Sequence, residues 1–168
     1  MTVDWTRRTL LSLAGVPSLA AAAEAAARIE GTLGPSAAPG FALSTPLHIG
    51  TVALVVRDLD AMAGFYRAVL GLQVIEKGAD WVQLGAGGRP LLLLGAAPDA
   101  ALAPANAAGL YHTAFLMPDR RDLGRWLLHA ARNNVPLTGF ADHDVSEAIY
   151  LDDPEGNGIE VYADRAPE

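Results

Sequence analysis

Residues 51–71, TVALVVRDLDAMAGFYRAVLG, and residues 112–132, HTAFLMPDRRDLGRWLLHAAR, are two versions of one plan set 61 positions apart. Each opens with a short apolar run that suits a strand, passes a polar turn at Asp58 or Asp119, and then repeats apolar residues at three- and four-residue spacing. In the first copy that stripe is Leu59, Met62, Phe65, Tyr66 and Val69; in the second it is Leu123, Trp126, Leu127 and Ala130. Such spacing places the apolar side chains on one face of a helix. His129 falls on a polar stripe with Arg125 and Arg132, so it is expected to be solvated.

Working outward, each helix is followed by three short strand candidates, about 72–78, 80–85 and 91–95, then about 136–142, 146–152 and 158–163. The expected fold is therefore α+β, two βαβββ modules at about 47–100 and 109–165. The glycine-rich stretch GAGGRP (85–90) reads as a hairpin turn, because no helix follows to make it a dinucleotide loop. DDPEGNG (152–158) reads as the matching connection: Pro154 presets φ, and Gly156, Asn157 and Gly158 are expected at left-handed positions. It has neither calcium-loop nor phosphate-loop spacing.

Composition narrows the function. The chain has 168 residues, 51% of them hydrophobic, enough for one domain with a substantial core. Its formal charge of −7 argues against a nucleic-acid backbone as partner, since phosphate contacts need clustered Lys and Arg. Absence of cysteine removes disulfides, thiolate nucleophiles and sulfur-ligated metals, so any metal must use His and carboxylate. A small-molecule ligand is the expected partner, with no membrane span, and a homodimer stays open.

Residues 1–30 differ from the rest. Arg7 and Arg8 precede an apolar run from Leu10 to Ala23, a pattern that matches a twin-arginine export signal and is too short to cross a bilayer. An Ala-rich helix packed on the domain is the alternative. Residues 31–46, rich in Gly, Pro, Ser and Ala, read as a linker to the domain at 47–168. The expectation is export to the periplasm or beyond, with a cytoplasmic protein as the alternative.

IGTVALVVRDLDAMAGFYRAVLGLQV (49–74) and DPEGNGIEVYADR (153–165) resemble the vicinal oxygen chelate superfamily of glyoxalases, bleomycin-resistance proteins and extradiol dioxygenases. More narrowly, GLYHTAFLMPDRRDLGRWLLH (109–129) and DHDVSEAIYLDDPEGNGIEVYADR (142–165) look like the first domain of two-domain catechol 2,3-dioxygenases. The resemblance implies that the modules curve into a half-open cup holding a divalent metal, with ligands on the first and last strand of each module. Carried over residue by residue, it puts metal ligands at His112 and Glu160. In the first module the corresponding places fall on Thr51 and about Leu92, which are not ligands of this kind. The resemblance also implies catalytic roles for His143, as an acid or base near neutral pH, and for Tyr150, as a phenol donating a hydrogen bond. His48 lies three residues from Thr51 and so on the opposite strand face.

Each residue also has a plainer reading. His112 suits a core histidine satisfied by backbone, Glu160 an edge-facing carboxylate, and His143 a loop residue serving the Asp142–Asp144 turn. Three functions follow. The leading one is a metal-dependent enzyme, a ring-cleaving oxidoreductase or glyoxalase-like lyase, using Fe(II) or Mn(II) on a small aromatic diol or carbonyl compound. The second is a metal-free binding module of the resistance type, and the third a non-catalytic scaffold remnant. The empty ligand places in the first module favour the latter two; the series His143, Tyr150 and Glu160 favours the enzyme.

Overall fold

The structure, a computed structural model, describes residues 49–102 and 108–165. The expected export signal, the linker and His48 lie outside the described residues. The first module runs β1 (Val52–Val56), α1 (Leu59–Leu70), β2 (Gln73–Lys77), β3 (Trp81–Ala86) and β4 (Arg89–Ala96). The second runs β5 (His112–Leu116), α2 (Arg120–Arg132), β6 (Gly139–Asp142), β7 (Ser146–Asp152) and β8 (Gly158–Asp164). Strand order is β1-β4-β3-β2 in one sheet and β5-β8-β7-β6 in the other, with only the β1–β4 and β5–β8 pairs parallel. Two βαβββ modules of identical topology are present, as the repeat requires.

Local chemistry sets the helix ends. Asp58 accepts from the backbone N–H of Ala61 at 2.9 Å, and Asp119 accepts from Arg121 and Asp122, so both turn aspartates are N-caps. Gly71 closes α1 with φ at 72°, a left-handed position that costs glycine little. Both helices pack on one face of their sheets. Met62, Tyr66 and Val69 of α1 join Leu54, Val56, Val82, Leu84, Leu92 and Leu94 in a core that also takes in Leu123, Trp126, Ile149, Leu151, Ile159 and Val161. Strand alternation then sends the intervening residues, including Gln83, Leu93, Tyr150 and Glu160, to the face without helices. Among the described residues no helix is long and apolar enough to cross a membrane.

The modules are joined by directed contacts. Tyr66 on α1 donates its hydroxyl to Asp153 at 2.9 Å, and the Glu155 carboxylate accepts from the backbone N–H groups of Arg57 (2.7 Å) and Asp58 (3.0 Å), ahead of α1. DDPEGNG is thus a clamp between modules as well as a turn. Of its three expected left-handed residues only Gly156 has positive φ. Asp153 itself holds the loop, accepting from the backbone N–H groups of Glu155 and Asn157 and from the Asn157 amide. At the other end of α1, Trp126 donates to the Val69 carbonyl at 2.9 Å and His129 to the Ala68 carbonyl at 2.8 Å. His129 is exposed, but it satisfies a carbonyl in the last turn of α1, where helices leave acceptors unpaired, and is not merely solvated.

Candidate functional site

His112 is the first residue of β5, directly beside Gly158 at the start of β8. A Cβ at Gly158 would stand 2.5 Å from the Tyr111 carbonyl oxygen and 3.2 Å from the His112 Cβ, so only glycine lets the two strands meet there. Two residues along β8, on the same face, stands Glu160. Its carboxylate receives the His112 Nε2 at 2.6 Å, with side-chain exposures of 25% for His112 and 12% for Glu160. Both are close to burial without being sealed, which suits a pair that meets a ligand.

Tyr150 lies opposite Glu160 on β7 and donates its hydroxyl to the other carboxylate oxygen at 3.3 Å. Burial, then the Glu160 charge, pushes the Tyr150 phenol above its ordinary range, so it keeps its proton at neutral pH. His143, in the loop before β7, stands 3.0 Å from the Tyr150 oxygen through Nε2. With the phenolic proton directed at Glu160, the imidazole N–H is the donor in that contact. The Asp142–Asp144 turn does not use this ring: Asp142 accepts from the Asp144 N–H, and Arg165 ties Asp142, Glu147 and the Asp144 carbonyl together. The structure therefore brings His143, Tyr150, Glu160 and His112 into one continuous polar chain on the helix-free face of the second sheet.

Tyr111 adds to it. Its ring centroid lies 4.7 Å from that of His112, and the His112 and Tyr150 rings lie 5.9 Å apart, so aromatic surface flanks the imidazole on two sides. Tyr111 stands beside His112 in GLYHTAF, yet nothing in its local pattern marks it as part of a site. The Nδ1 atom of His112 is buried with no hydrogen-bond partner.

Strand register corrects one expected position. Glu160 pairs with Ala114 on β5 and Tyr150 on β7; in the first sheet the residue that pairs with Ala53 and Gln83 is Leu93, not Leu92. Leu92 points into the core beneath α1. The place is apolar in either case, and Thr51 precedes β1 where His112 opens β5. Gln83 consequently occupies the place of Tyr150, a match hidden in the sequence.

These residues can be tested against a divalent metal. Donors about 2.1 Å from an ion at right angles are roughly 3 Å apart, so the 2.6 Å between His112 Nε2 and Glu160 Oε2 needs to open only a few tenths of an ångström. One imidazole and one carboxylate fit two adjacent ligand positions of a non-haem iron or manganese site. Among the described residues no set of three His, Asp or Glu gathers around one point. The fit is two ligands from the second module and none from the first.

Two surface clefts lie elsewhere. One of about 380 Å³ is walled by Arg120, Leu123, Leu127, Phe140 and Glu147, and one of about 340 Å³ by Arg57, Pro98, Leu102 and Glu155. Neither is lined by a member of the polar chain, and the titratable cluster, not cleft size, marks the site.

Comparison with known proteins bears on the family and the fold. Over 120 residues the chain is 46% identical to a catechol-2,3-dioxygenase of Bacillus subtilis (strain 168), covering 70% of this chain and 42% of that relative, so it spans under half of the relative's length. Its structure resembles a lactoylglutathione lyase from Agrobacterium tumefaciens, with a TM-score of 0.57, 30% identity and coverage of 70% of this chain and 94% of that one. A glyoxylase/bleomycin resistance protein/dioxygenase domain from Frankia sp. EAN1pec shares the fold at a TM-score of 0.62 and 18% identity, covering 74% and 96%. The family model for the glyoxalase/bleomycin resistance protein/dioxygenase superfamily matches residues 48–161, and the chain belongs to that superfamily, with the vicinal oxygen chelate fold.

Proposed function

We propose that the chain is a metal-dependent enzyme of the extradiol-dioxygenase type that acts on a small aromatic diol, with His112 and Glu160 as ligands and His143 and Tyr150 as the proton-handling pair. The observation that carries this reading is the unbroken chain from His143 through Tyr150 and Glu160 to His112. A purely structural carboxylate would not need an imidazole on one oxygen and a protonated phenol, itself tied to a second imidazole, on the other. Similarity to a catechol-2,3-dioxygenase supports the substrate class.

A divalent ion, Fe(II) or Mn(II), supplies Lewis acidity and a template for two vicinal oxygens. Glu160 accepts from Tyr150, which holds the carboxylate in one orientation. Tyr150, kept protonated by burial and by the Glu160 charge, would turn its one O–H from Glu160 to oxygen-centred negative charge as it develops on a diol. His143 is the exposed end of the chain and exchanges a proton between solvent and the Tyr150 hydroxyl.

The first module favours a second reading. Thr51 and Leu93 offer no imidazole or carboxylate, an arrangement suited to a metal-free module that binds a small apolar ligand in the same cup. Anaerobic loading with Fe(II), followed by catechol and dioxygen, separates the two. The enzyme opens the ring and incorporates both oxygen atoms, with the yellow ring-opened product read by absorbance. His143→Ala should cut the rate by about 10²–10⁴-fold without removing metal. Ligand stabilisation with no product from any vicinal diol would establish the binding module instead.

A further inference from the structure

Gln83 is a polar residue placed where the fold rewards an apolar one. It sits on β3 between Val82 and Leu84, both core residues, and pairs with Leu93 on β4. It is only 2% exposed, and its Nε2 is buried with no hydrogen-bond partner. An unpaired buried amide costs folding free energy that a methionine or leucine there would not. Native proteins keep such groups rarely, and chiefly where a water, ion or ligand completes them.

Register gives the position a meaning. Gln83 against Leu93 is the first-module counterpart of Tyr150 against Glu160, and alternation puts Gln83 on the face opposite α1, just as it puts Tyr150 on the face opposite α2. The pseudo-symmetric partner of a residue in the polar chain is therefore polar and buried, with its amide nitrogen unpaired, whereas Leu93 at the neighbouring matched place is apolar. An unpaired amide beside an apolar neighbour at the matched place suits a recognition role, since it offers one polar contact within an otherwise apolar surface.

We infer that Gln83 is a specificity-determining residue of the first module, whose side-chain amide takes a hydroxyl or carbonyl oxygen of the bound small molecule while Leu93 beside it meets apolar surface. The ligand class rests on the function proposed above; the role of Gln83 as its polar contact does not depend on turnover. A ring carrying oxygen substituents at one side satisfies both requirements.

The test is anaerobic calorimetric titration of catechol and of benzene into wild type, Gln83→Leu, Gln83→Met and, as a control, His112→Ala, alongside melting temperatures. Both Gln83 variants should melt higher than wild type, bind catechol about tenfold more weakly, and bind benzene at least as well. Equal catechol affinity in wild type and both variants overturns the inference, whether the melting temperature rises or falls, as does a wild type that fails to bind catechol at millimolar concentration. Catechol binding that is weakened by Gln83→Leu, together with no ring opening and no effect of His112→Ala, would remove the proposed reaction and leave the role of Gln83 standing.

Discussion

Tyr66→Phe tests whether the two modules are held by the buried contact between α1 and the 152–158 loop. The tyrosine is fully buried, its hydroxyl lies 2.9 Å from Asp153 Oδ2, and its ring packs edge-on against Phe65 and tilted against Phe115. Phenylalanine keeps the ring and so opens no cavity of consequence. What is lost is one donor to a buried carboxylate, and hydrogen bonds to charged groups are worth about 1.5–3 kcal/mol. Three other donors remain on Asp153, so a loss of about 2 kcal/mol at pH 7 is expected. Burial raises the Asp153 carboxyl above its ordinary range, while the Tyr66 hydrogen bond pulls it back down. The stability tied to this raised group is present below its unfolded value and is lost as pH rises through the folded one. Removing Tyr66 raises the folded value further, so the variant loses more than wild type on going from acid to neutral pH, and the gap between them widens. In urea the midpoint should fall by about 1 M at neutral pH, given slopes of roughly 1–3 kcal/mol/M. A midpoint shift below about 0.2 M, which that slope range equates with well under 1 kcal/mol, would refute the clamp. So would a gap that is larger at pH 4 than at pH 7.

Gly158→Ala places a methyl against the Tyr111 carbonyl and His112, and should cost about 1–3 kcal/mol in a thermal or urea melt; an unchanged melt would mean the strands are not held that closely. Hydrogen bonds from Arg165, the largest cause for each, hold the Asp142 and Glu147 carboxyls below their usual range. Their contribution is present above the ordinary carboxyl values of 3.8 and 4.5 and is lost as pH falls through the lower folded values, so Arg165→Ala should be less stable than wild type at neutral pH with the difference closing in acid. A difference that stays constant from neutral to acid pH, followed by denaturation at each step, would contradict this. Thr51→His puts an imidazole at the place matched to His112 and should tighten divalent-metal binding in a competition titration; unchanged affinity would show that the first module's strand does not face the ion.

Much of this was legible in the sequence because a strand reports its facing through a period of two and a helix through a period of 3.6. Thr51 and His112 could be matched across 61 residues by pattern alone, whereas His143, Tyr150 and Glu160 were singled out by the resemblance to the vicinal oxygen chelate superfamily. The offset failed further along. Residues 133–138 connect α2 to β6 where only 71–72 connect α1 to β2, and β2 carries an irregularity between Val74 and Glu76. Hydrogen-bond register was needed to move the empty place from Leu92 to Leu93 and to reveal Gln83 as the match for Tyr150. Contacts between modules were equally hidden, since Tyr66 and Asp153, or Glu155 and Arg57, are distant in sequence and meet only through tertiary packing. His129 looked solvated because its partner is a backbone carbonyl of the other helix, which no side-chain pattern announces.

The most direct measurement is the metal content of wild type, His112→Ala and Glu160→Ala after identical anaerobic loading with Fe(II) and desalting. With two ligands drawn from this one face, neither can be spared, so wild type should retain about one ion per chain and each variant far less. Wild type without stoichiometric metal, or His112→Ala retaining as much as wild type, would contradict the assignment of His112 and Glu160 as ligands and return the imidazole of GLYHTAF to an ordinary sheet position.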